Sequence, residues 1–420
     1  METKHSTRRS LATLLVGLVG VVTVLTLSVG WAWPVVVGAI IVMVMGHEFG
    51  HFITAKRAGM RVTDFFVGFG PVIWSTTIGE TRYGVRAIFA GGYVKVPGMT
   101  WSDGSIDPAD EARTYRSASY PRKVLFASAG SLMHVVMALA LAFASLTLVG
   151  APSPSHVTVG AFTHWDGHAK NAAQLAGLRL GDRIVSIDGH VITSPDQLVR
   201  LVHSDAATPI VLVIERQGRD LTMHATPVDG RSIKVGGLPL STGAAPDGYL
   251  GIELSLQSVR TVWWRALPQS FGQVGSMLTT AAHAIVHVFS PGQFASLFHQ
   301  VASPAAANNR TNQLNRPESI VGVVRLAVQS TQTGPGTLLS ILMAVNIFVG
   351  LLNMLPMLPL DGGYVAVATY ERLRSRRSVR YHADVNRLAP IIYAFMTVLL
   401  VLFASTLYLD IVHPVANPFQ

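Results

Sequence analysis

The segment Pro34–Ala55 reads PVVVGAIIVMVMGHEFGHFITA, an apolar run that carries three ionisable side chains, His47, Glu48 and His51. A helix needs about 20 apolar residues to cross the hydrocarbon core of a membrane, and this segment is long enough. Ionisable side chains inside a membrane span are costly and are usually functional. The segment therefore predicts a transmembrane helix that carries a functional site.

The three ionisable residues form the pattern HExxH. Residues at positions i and i+4 share one face of a helix, so the imidazoles of His47 and His51 can bind one zinc ion. Glu48 can then reach a water at the metal and act as a general base. The alternative is a pair of interfacial histidines beside an unrelated glutamate, which the membrane context disfavours. We therefore predict Zn²⁺ as the cofactor, with two histidine ligands and a catalytic glutamate.

The composition of the chain indicates a polytopic membrane protein. Half of the 420 residues are hydrophobic and only 13% are charged, whereas about 25% are charged in soluble domains; the mean hydropathy is +0.41. The sequence has no cysteine, so a metal must be held by His, Asp or Glu. The net charge of +9 does not indicate a nucleic-acid partner, because much of the Lys and Arg flanks apolar runs and orients them in the membrane.

Five apolar segments are predicted to cross the membrane: Leu11–Trp31, Pro34–Ala55, Val124–Gly150, Leu338–Leu358 and Leu388–Val412. Basic residues flank alternating ends of these segments, which places the N-terminus in the cytoplasm and the region between the third and fourth spans outside. The first segment also has features of a cleavable secretory signal, but its apolar run is longer than the roughly 7–15 residues of such signals. Cleavage would leave the later orientations unchanged.

The fourth span is predicted to supply the third metal ligand. A catalytic zinc usually has three protein ligands and one open position. The segment Asn353–Gly363 reads NMLPMLPLDGG and places the carboxylate of Asp361 at the cytoplasmic end of an apolar run. Pro356 and Pro359 are expected to break the helix, and irregular backbone at membrane depth is tolerated only where it faces protein or a water-filled cavity. Asp361 on its own could be a simple helix-end carboxylate, but together with HExxH it is predicted to bind the metal.

HEFGH in one predicted span and NMLPMLPLDGG in a later one resemble the site-2 protease family of intramembrane zinc metalloproteases. FVGFGP at 66–71 and FAGGYVKVPGM at 89–99 resemble the bacterial, PDZ-containing branch of that family. The resemblance implies that His47, His51 and Asp361 bind zinc and that Glu48 activates water. It implies cleavage within or near the membrane of single-pass proteins, such as anti-sigma factors or leftover signal peptides, after another protease has shortened them. It also implies a multi-pass protein of the bacterial cell membrane.

A β-hairpin beside the active site is a further expectation. Gly84–Met99 alternates between strand-forming residues and is broken at Gly91 and Gly92, as in a hairpin; a soluble cytoplasmic turn is the alternative. The resemblance implies that this hairpin dips into the membrane, where its edge could pair with an unwound substrate by strand addition. Gly91, Gly92, Pro356 and, by family position, Asn353 are therefore predicted to contact the substrate.

Two features depart from the family pattern. Ser131 and His134 stand where the family usually has a proline and an asparagine. His134 is predicted to pack or hydrogen-bond beside the site rather than to bind the metal. The other departure is the extra apolar segment Leu11–Trp31, to which no role is assigned.

The region outside the membrane begins with a soluble α+β pattern. Residues 155–229 contain a succession of strand, turn, strand, helix and hairpin that resembles a PDZ domain, which binds an extended peptide at a sheet edge. Such a domain would either recognise the end of a clipped substrate or exclude intact ectodomains. Val262–Phe298 is predicted to form amphipathic helices on the outer membrane surface.

The predicted organisation has nine parts. They are a cytoplasmic tail with an extra span (1–32), the HExxH span (33–57), a cytoplasmic or re-entrant hairpin region (58–122), a span (123–150), the PDZ domain (155–229), an outer linker with amphipathic helices (230–337), the LDG span (338–370), a basic cytoplasmic loop (371–387) and a last span (388–412). The competing interpretation is a non-enzymatic membrane adaptor in which zinc only clamps two spans together. A zinc transporter is a weaker alternative, because the sequence has no internal repeat.

Overall fold

The computed structural model describes residues 17, 19–20, 22–24, 26–28, 30–99, 106–375, 381–383 and 385–419. The residues that it describes between 17 and 28 are helical, and the rest of the predicted span Leu11–Trp31, apart from Gly30 and Trp31, lies outside the described residues. By contact density the chain divides into a first unit, Met1–Ala144 with Leu267–Gln420, and a second unit, Ser145–Ala266.

Four described helices are long and apolar enough to cross a membrane, which supports a polytopic membrane protein. They are α1 (Ala32–Arg57), α2 (Tyr120–Ala144, extended by a π-helical turn Ser145–Val149), α10 (Pro335–Asn353) and α12 (Ala389–Val412). The fourth predicted span extended to Leu358, but α10 ends at Asn353. The chain cannot continue as a helix through Pro356 and Pro359, because proline lacks the N–H that a helix needs and its ring clashes with the preceding turn. A new helix, α11 (Asp361–Arg374), begins directly after them.

Glycines allow three of these helices to approach closely. A β-carbon at Gly50 of α1 would meet the backbone of Ala129 in α2, and one at Gly350 of α10 would lie 2.8 Å from the β-carbon of His134 in α2. Inside a membrane, helices associate through van der Waals packing rather than the hydrophobic effect, and small residues at a crossing permit this close packing. Helix α2 is therefore packed between α1 and α10 at the depth of the HExxH motif.

A long hairpin follows α1 and consists of β1 (Asp64–Ile78) and β2 (Thr81–Lys95). Both strands bend, so that 64–67 pairs with 92–95 on one side and with 82–85 on the other, while 72–78 pairs with 81–86. The result is a small sheet whose two outer segments are 92–95 and 72–78. The sequence predicted only the part from Gly84 onwards, because FVGFGP in β1 contains two glycines and a proline, which are depleted in strands.

Ion pairs join the turn of this hairpin to the end of α1. Glu80 accepts hydrogen bonds from Lys56 at 2.6 Å and from Arg113 at 2.8 Å. Arg113 lies at the end of a 3-10 helix, Pro108–Arg113. Hydrogen bonds from these two cations lower the pKa of Glu80 to about 2, and the bond from Arg113 has the larger effect. Glu80 is therefore charged at neutral pH. The network is partly exposed, so we assign it a positioning role rather than a large stabilisation.

The second unit contains a six-stranded sheet with the order β12-β3-β4-β6-β7, in which β5 pairs with β4. Its elements are β3 (Ala151–Phe162), α3 (Ala172–Leu175), β4 (Arg183–Ile187), β5 (His190–Val191), α4 (Pro195–Ser204), β6 (Ile210–Arg216), β7 (Arg219–Ala225), β8 (Val228–Asp229), β9 (Lys234–Val235), β10 (Leu238–Pro239), β11 (Gly248–Tyr249) and β12 (Ile252–Val259). Ser194 caps α4 by accepting the N–H of Gln197, as its sequence predicts. The sheet extends past residue 229, because the edge strand β12 comes from the segment predicted as a linker.

Several helices follow the second unit's sheet. They are α5 (Trp263–Val288), α6 (Pro291–Ala302), α7 (Pro304–Ala307), α8 (Arg310–Asn315) and α9 (Ile320–Ser330). One face of α5 packs through Val274 against Ala138 of α2 and Ile347 of α10. Helix α6 packs along α12, where Leu297 contacts the region of Leu409.

A buried ion pair fixes the end of α12. Arg316 donates to the carboxylate of Asp410 at 3.0 Å, and both side chains are fully buried. Asp410 also accepts the backbone N–H of Ser319 at 2.6 Å. Burial and the neighbouring Asp410 raise the pKa of Glu318, close to this pair, to about 7. The pair ties the start of α9 to the last span.

We expect Asp410→Ala to lower the free energy of unfolding by about 3–5 kcal/mol, because it leaves the Arg316 guanidinium buried without its partner. Glu111→Ala is the matched control, since Glu111 forms an exposed pair with Arg116 and should change stability by at most about 1 kcal/mol. Denaturation in detergent micelles measures both. Equal losses of unfolding free energy in the two variants would contradict the conclusion that the buried Arg316–Asp410 pair stabilises the fold.

Candidate metal centre

Three side chains from two distant segments converge on one point. Nε2 of His47 and Nε2 of His51 lie 3.2 Å apart on one face of α1. Oδ2 of Asp361 lies 3.4 Å from the first nitrogen and 3.2 Å from the second. Among the described residues, these three form the group of His, Asp and Glu side chains whose atoms could hold a metal ion.

The spacing of these atoms fits zinc. In a tetrahedral site with ligands at about 2.0–2.2 Å from the ion, neighbouring ligand atoms are about 3.4 Å apart. The three observed separations, 3.2, 3.4 and 3.2 Å, match this value closely. Two imidazoles and one carboxylate are also a donor set that zinc accepts, and three protein ligands leave a fourth position open.

Hydrogen bonding fixes the orientation of His51. Its Nδ1 lies 2.8 Å from the carbonyl oxygen of Phe126 in α2, so the N–H at this position donates to that carbonyl. The proton on Nδ1 leaves the lone pair of Nε2 free for a metal. Metal-binding histidines are commonly oriented in this way.

The neighbouring helix leaves room for the two imidazoles. A β-carbon at Gly130 of α2 would overlap the ring of His47 and would lie 2.5 Å from Nε2 of His51. A glycine is therefore required where α2 crosses the HExxH face of α1. The sequence alone does not reveal this requirement, because it arises only when α2 packs against α1.

Asp361 is positioned by the broken segment between α10 and α11. It is the first residue of α11, and the turn before it brings the carboxylate back towards α1. β-Carbons at Gly362 and Gly363 would collide with the backbone of Met354–Leu358, so these glycines allow α11 to pack against the preceding turn.

Glu48 lies between the metal-site histidines and the hairpin. A β-carbon at Gly92 of β2 would be 2.9 Å from Cγ of Glu48, and the backbone of Val94 hydrogen-bonds the Glu48 carboxylate. The predicted substrate residue Gly92 is therefore adjacent to the predicted catalytic glutamate. The outer segment 92–95 of the hairpin sheet runs past the Glu48 side chain.

The other predicted substrate residues are Gly91, Asn353 and Pro356. Among the described residues, no contact joins them to the side chains of His47, His51 or Asp361. Gly91 packs against the ring of Phe69, with a φ of +148°. Asn353 is half-buried at the end of α10, and Pro356 is exposed in the broken segment. The structure thus brings Gly92 to Glu48, and it leaves the contacts of Asn353 and Pro356 with a substrate as predictions.

Comparison with known proteins decides the family. The model of peptidase family M50 matches residues 35–400. The chain belongs to peptidase family M50. Zinc metalloprotease Rip1 of Mycobacterium tuberculosis H37Rv is 31% identical over 405 residues, which cover 90% of this chain and 96% of that protein. Rip1 of Mycolicibacterium smegmatis is 27% identical over 403 residues, with the same coverages.

More distant relatives have the same description. A putative zinc metalloprotease of Agrobacterium fabrum is 25% identical over 350 residues, which cover 80% of this chain and 84% of the relative. The family match and the names of these relatives bear out the predicted resemblance and the prediction of a zinc metalloprotease.

A buried polar pair lies behind the metal centre of this M50 peptidase. Nδ1 of His134 lies 2.9 Å from Oδ1 of Asn346 in α10, and Nδ2 of Asn346 donates to the carbonyl of Leu342 at 3.2 Å. The His134 ring lies 5.2 Å from the His47 ring, centre to centre. Sequence reasoning singled out His134 and missed Asn346, although a lone amide inside an apolar span is itself a signal of function.

We expect Gly130→Ala to weaken zinc binding by at least about tenfold, because the new methyl group displaces both imidazoles. Competition with a chelator, followed by metal analysis of the purified protein, measures this. Gly38→Ala in α1 is the control, since its β-carbon would have no neighbour within 4 Å. Unchanged zinc affinity in Gly130→Ala would show that the metal binds elsewhere.

Proposed function

We propose that the protein is an intramembrane zinc protease that hydrolyses peptide bonds within or near the transmembrane segment of single-pass membrane proteins. One observation carries the proposal. The His47, His51 and Asp361 side chains converge in a three-ligand arrangement, and both histidines belong to a helix apolar enough to cross a membrane. A site of this kind inside a membrane span has substrates that are themselves in the membrane.

In this proposal, His47, His51 and Asp361 hold the zinc ion. When bound, zinc supplies Lewis-acid activation of water and polarisation of the scissile carbonyl. The open position that three ligands leave distinguishes such a site from a structural zinc site, which is closed by four protein ligands. This difference disfavours the alternative of a non-enzymatic adaptor clamped by zinc.

Glu48 is the proposed general base. It accepts the proton of the attacking water and donates it to the nitrogen of the leaving amine. The backbone of Val94 holds its carboxylate beside the metal ligands. Burying a glutamate inside a membrane span costs free energy, and a catalytic role accounts for its presence there.

The hairpin is the proposed substrate platform. A transmembrane substrate hides its amides in a helix and must unwind before it can be cut. An unwound strand added to the outer segment 92–95 would satisfy its backbone by pairing with the sheet, and it would run past Glu48. The missing side chains of Gly91 and Gly92 let this edge lie close to Phe69 and Glu48. Asn353 at the end of α10 and Pro356 in the broken segment are the further residues proposed to contact the strand.

The second unit contains the proposed PDZ domain, 155–229, which we place outside a bacterial plasma membrane, with the N-terminus in the cytoplasm. Strand β12 forms one edge of its sheet, where an extended peptide can add as a further strand. This domain would bind the new end of a clipped substrate or exclude intact ectodomains from the membrane. Anti-sigma factors and leftover signal peptides are the proposed substrate classes.

We expect Glu48→Gln to reduce cleavage of a tagged single-pass substrate by at least about 10²-fold while retaining zinc, because only the general base is lost. Asp361→Ala should lose both zinc and activity. Liposomes with purified protein, together with metal analysis, provide both readouts, and Glu111→Gln is the matched control, since Glu111 lies in an exposed ion pair with Arg116. Cleavage by Glu48→Gln at the wild-type rate would contradict the mechanism; bound zinc without cleavage by the wild type would favour the adaptor.

We expect Gly92→Ala to lower kcat by about 10²-fold without loss of zinc. A β-carbon there would press on Cγ of Glu48 at 2.9 Å and on the carbonyl of Phe66 at 3.0 Å, and a displacement of about 1 Å can cost this much. Gly38→Ala serves again as the control. A kcat equal to that of wild type would show that the contact of Gly92 with Glu48 has no role in catalysis.

A further inference from the structure

A cavity of about 550 Å³ lies within the second unit. The side chains that matter for its chemistry are His156, Arg183, Glu215, Gln257, Ser258 and Arg260. None of them belongs to the metal centre or to the hairpin. Gln257 and Ser258 lie at the end of β12, where their side chains are distinct from the backbone edge proposed to pair with a peptide.

The cavity forms where β3 and β12 separate. Ser258 pairs with Pro152, and the next pair along the strands joins Leu256 to Val157, so residues 153–156 bulge outwards opposite Gln257 alone. Pro152 and Pro154 cause the bulge, because neither can donate a hydrogen bond to the neighbouring strand. A bulge of this kind redirects side chains away from the sheet.

Hydroxyl groups of the bulge hold His156 in place. Its Nδ1 lies 3.1 Å from the hydroxyl of Ser153 and 3.2 Å from that of Ser155. These contacts leave Nε2 for a ligand. The bulge therefore supplies a fixed imidazole rather than a mobile one.

The charges that line the cavity are predominantly positive. Arg183 pairs with Glu215 at 2.7 Å, and Glu215 is the one acid among the described residues that line the cavity. Arg260 is exposed and has no ion-pair partner among the residues that the structure describes. One arginine and one histidine are thus available to an anion, beside the amide of Gln257 and the hydroxyl of Ser258.

The cavity lies at the chain segments that connect this unit to the membrane. Val149, which contributes to its lining, is the last residue of the candidate span Tyr120–Val149. The backbone of Thr261, directly after Arg260, donates to the carbonyl of Leu146 at 2.9 Å. Both connecting segments therefore run side by side next to the cavity.

Two exposed tryptophans follow Arg260 closely in the chain. Trp263 and Trp264 are 65% and 59% exposed, and their rings lie 5.6 Å apart. Indole rings of this exposure are unfavourable in water, and they are enriched at the boundary between hydrocarbon and headgroups. Arg260 of the cavity and the two tryptophans thus belong to one short chain segment, and the indole rings suit that segment to a membrane boundary.

We propose that this cavity binds the phosphate of an anionic phospholipid headgroup in the outer leaflet. Arg260, His156, Gln257 and Ser258 offer the donors that phosphate oxygens accept, and the arginine adds charge. The bound lipid holds the outer unit at the membrane surface. The inference does not depend on the proposed proteolysis, because lipid binding is measured without a substrate.

The test uses the full-length protein in a zwitterionic detergent, titrated with short-chain phosphatidylglycerol, with phosphatidylcholine and with inorganic phosphate. Native mass spectrometry counts the bound lipid. We expect wild type to prefer phosphatidylglycerol and Arg260→Ala to lose about fivefold of that affinity, since one basic residue at a membrane surface contributes about 1 kcal/mol. Inorganic phosphate should not displace the lipid at similar concentrations.

Arg200→Ala is the matched control, because Arg200 is an exposed arginine of α4 in the same unit but outside the cavity. It should leave the affinity within about twofold of wild type. An equal loss in Arg200→Ala would reduce the effect to general surface charge and would overturn the proposal. Displacement by inorganic phosphate at equal concentration would assign the cavity to a soluble anion, and undiminished binding by Arg260→Ala would exclude the cavity; either result overturns the proposal.

Discussion

The structure depends on the close approach of the Asp361 carboxylate to His47 and His51, which belong to a different segment of the chain. Its oxygen lies 3.4 and 3.2 Å from the two ring nitrogens. Three ligands from two segments can reach one ion only if the helices between them pack very closely. Gly130, Gly50 and Gly350 remove the side chains that would keep those helices apart.

The same constraint explains the irregular backbone. Charged side chains and broken helices are costly in a membrane unless other groups satisfy them. The chain is broken after α10, which brings Asp361 to the histidines, and β2 approaches α1 closely enough for Val94 to bind Glu48. Asn346 and His134 satisfy one another behind the site. The break after α10 and the approach of β2 thus each position a polar group of the metal centre.

The sequence predicted what depends on local spacing. HExxH places two histidines on one helix face by geometry alone, and a carboxylate behind two prolines is conspicuous in an apolar run. Contacts between distant segments were harder to predict: Gly130 and Asn346 acquire their roles only when α2 packs against α1 and α10. Strands β1 and β12 were missed for a related reason, because glycine-rich and edge strands have weak alternation and are defined by their pairing partners.

The most direct test of the metal centre is X-ray absorption at the zinc edge of the zinc-loaded full-length protein. The account predicts four nitrogen or oxygen ligands at about 2.0–2.2 Å, including two imidazoles. His51→Ala should lose one imidazole from the spectrum. A wild-type spectrum without imidazole, or one that is unchanged when His47 and His51 are both replaced by alanine, would contradict the central claim.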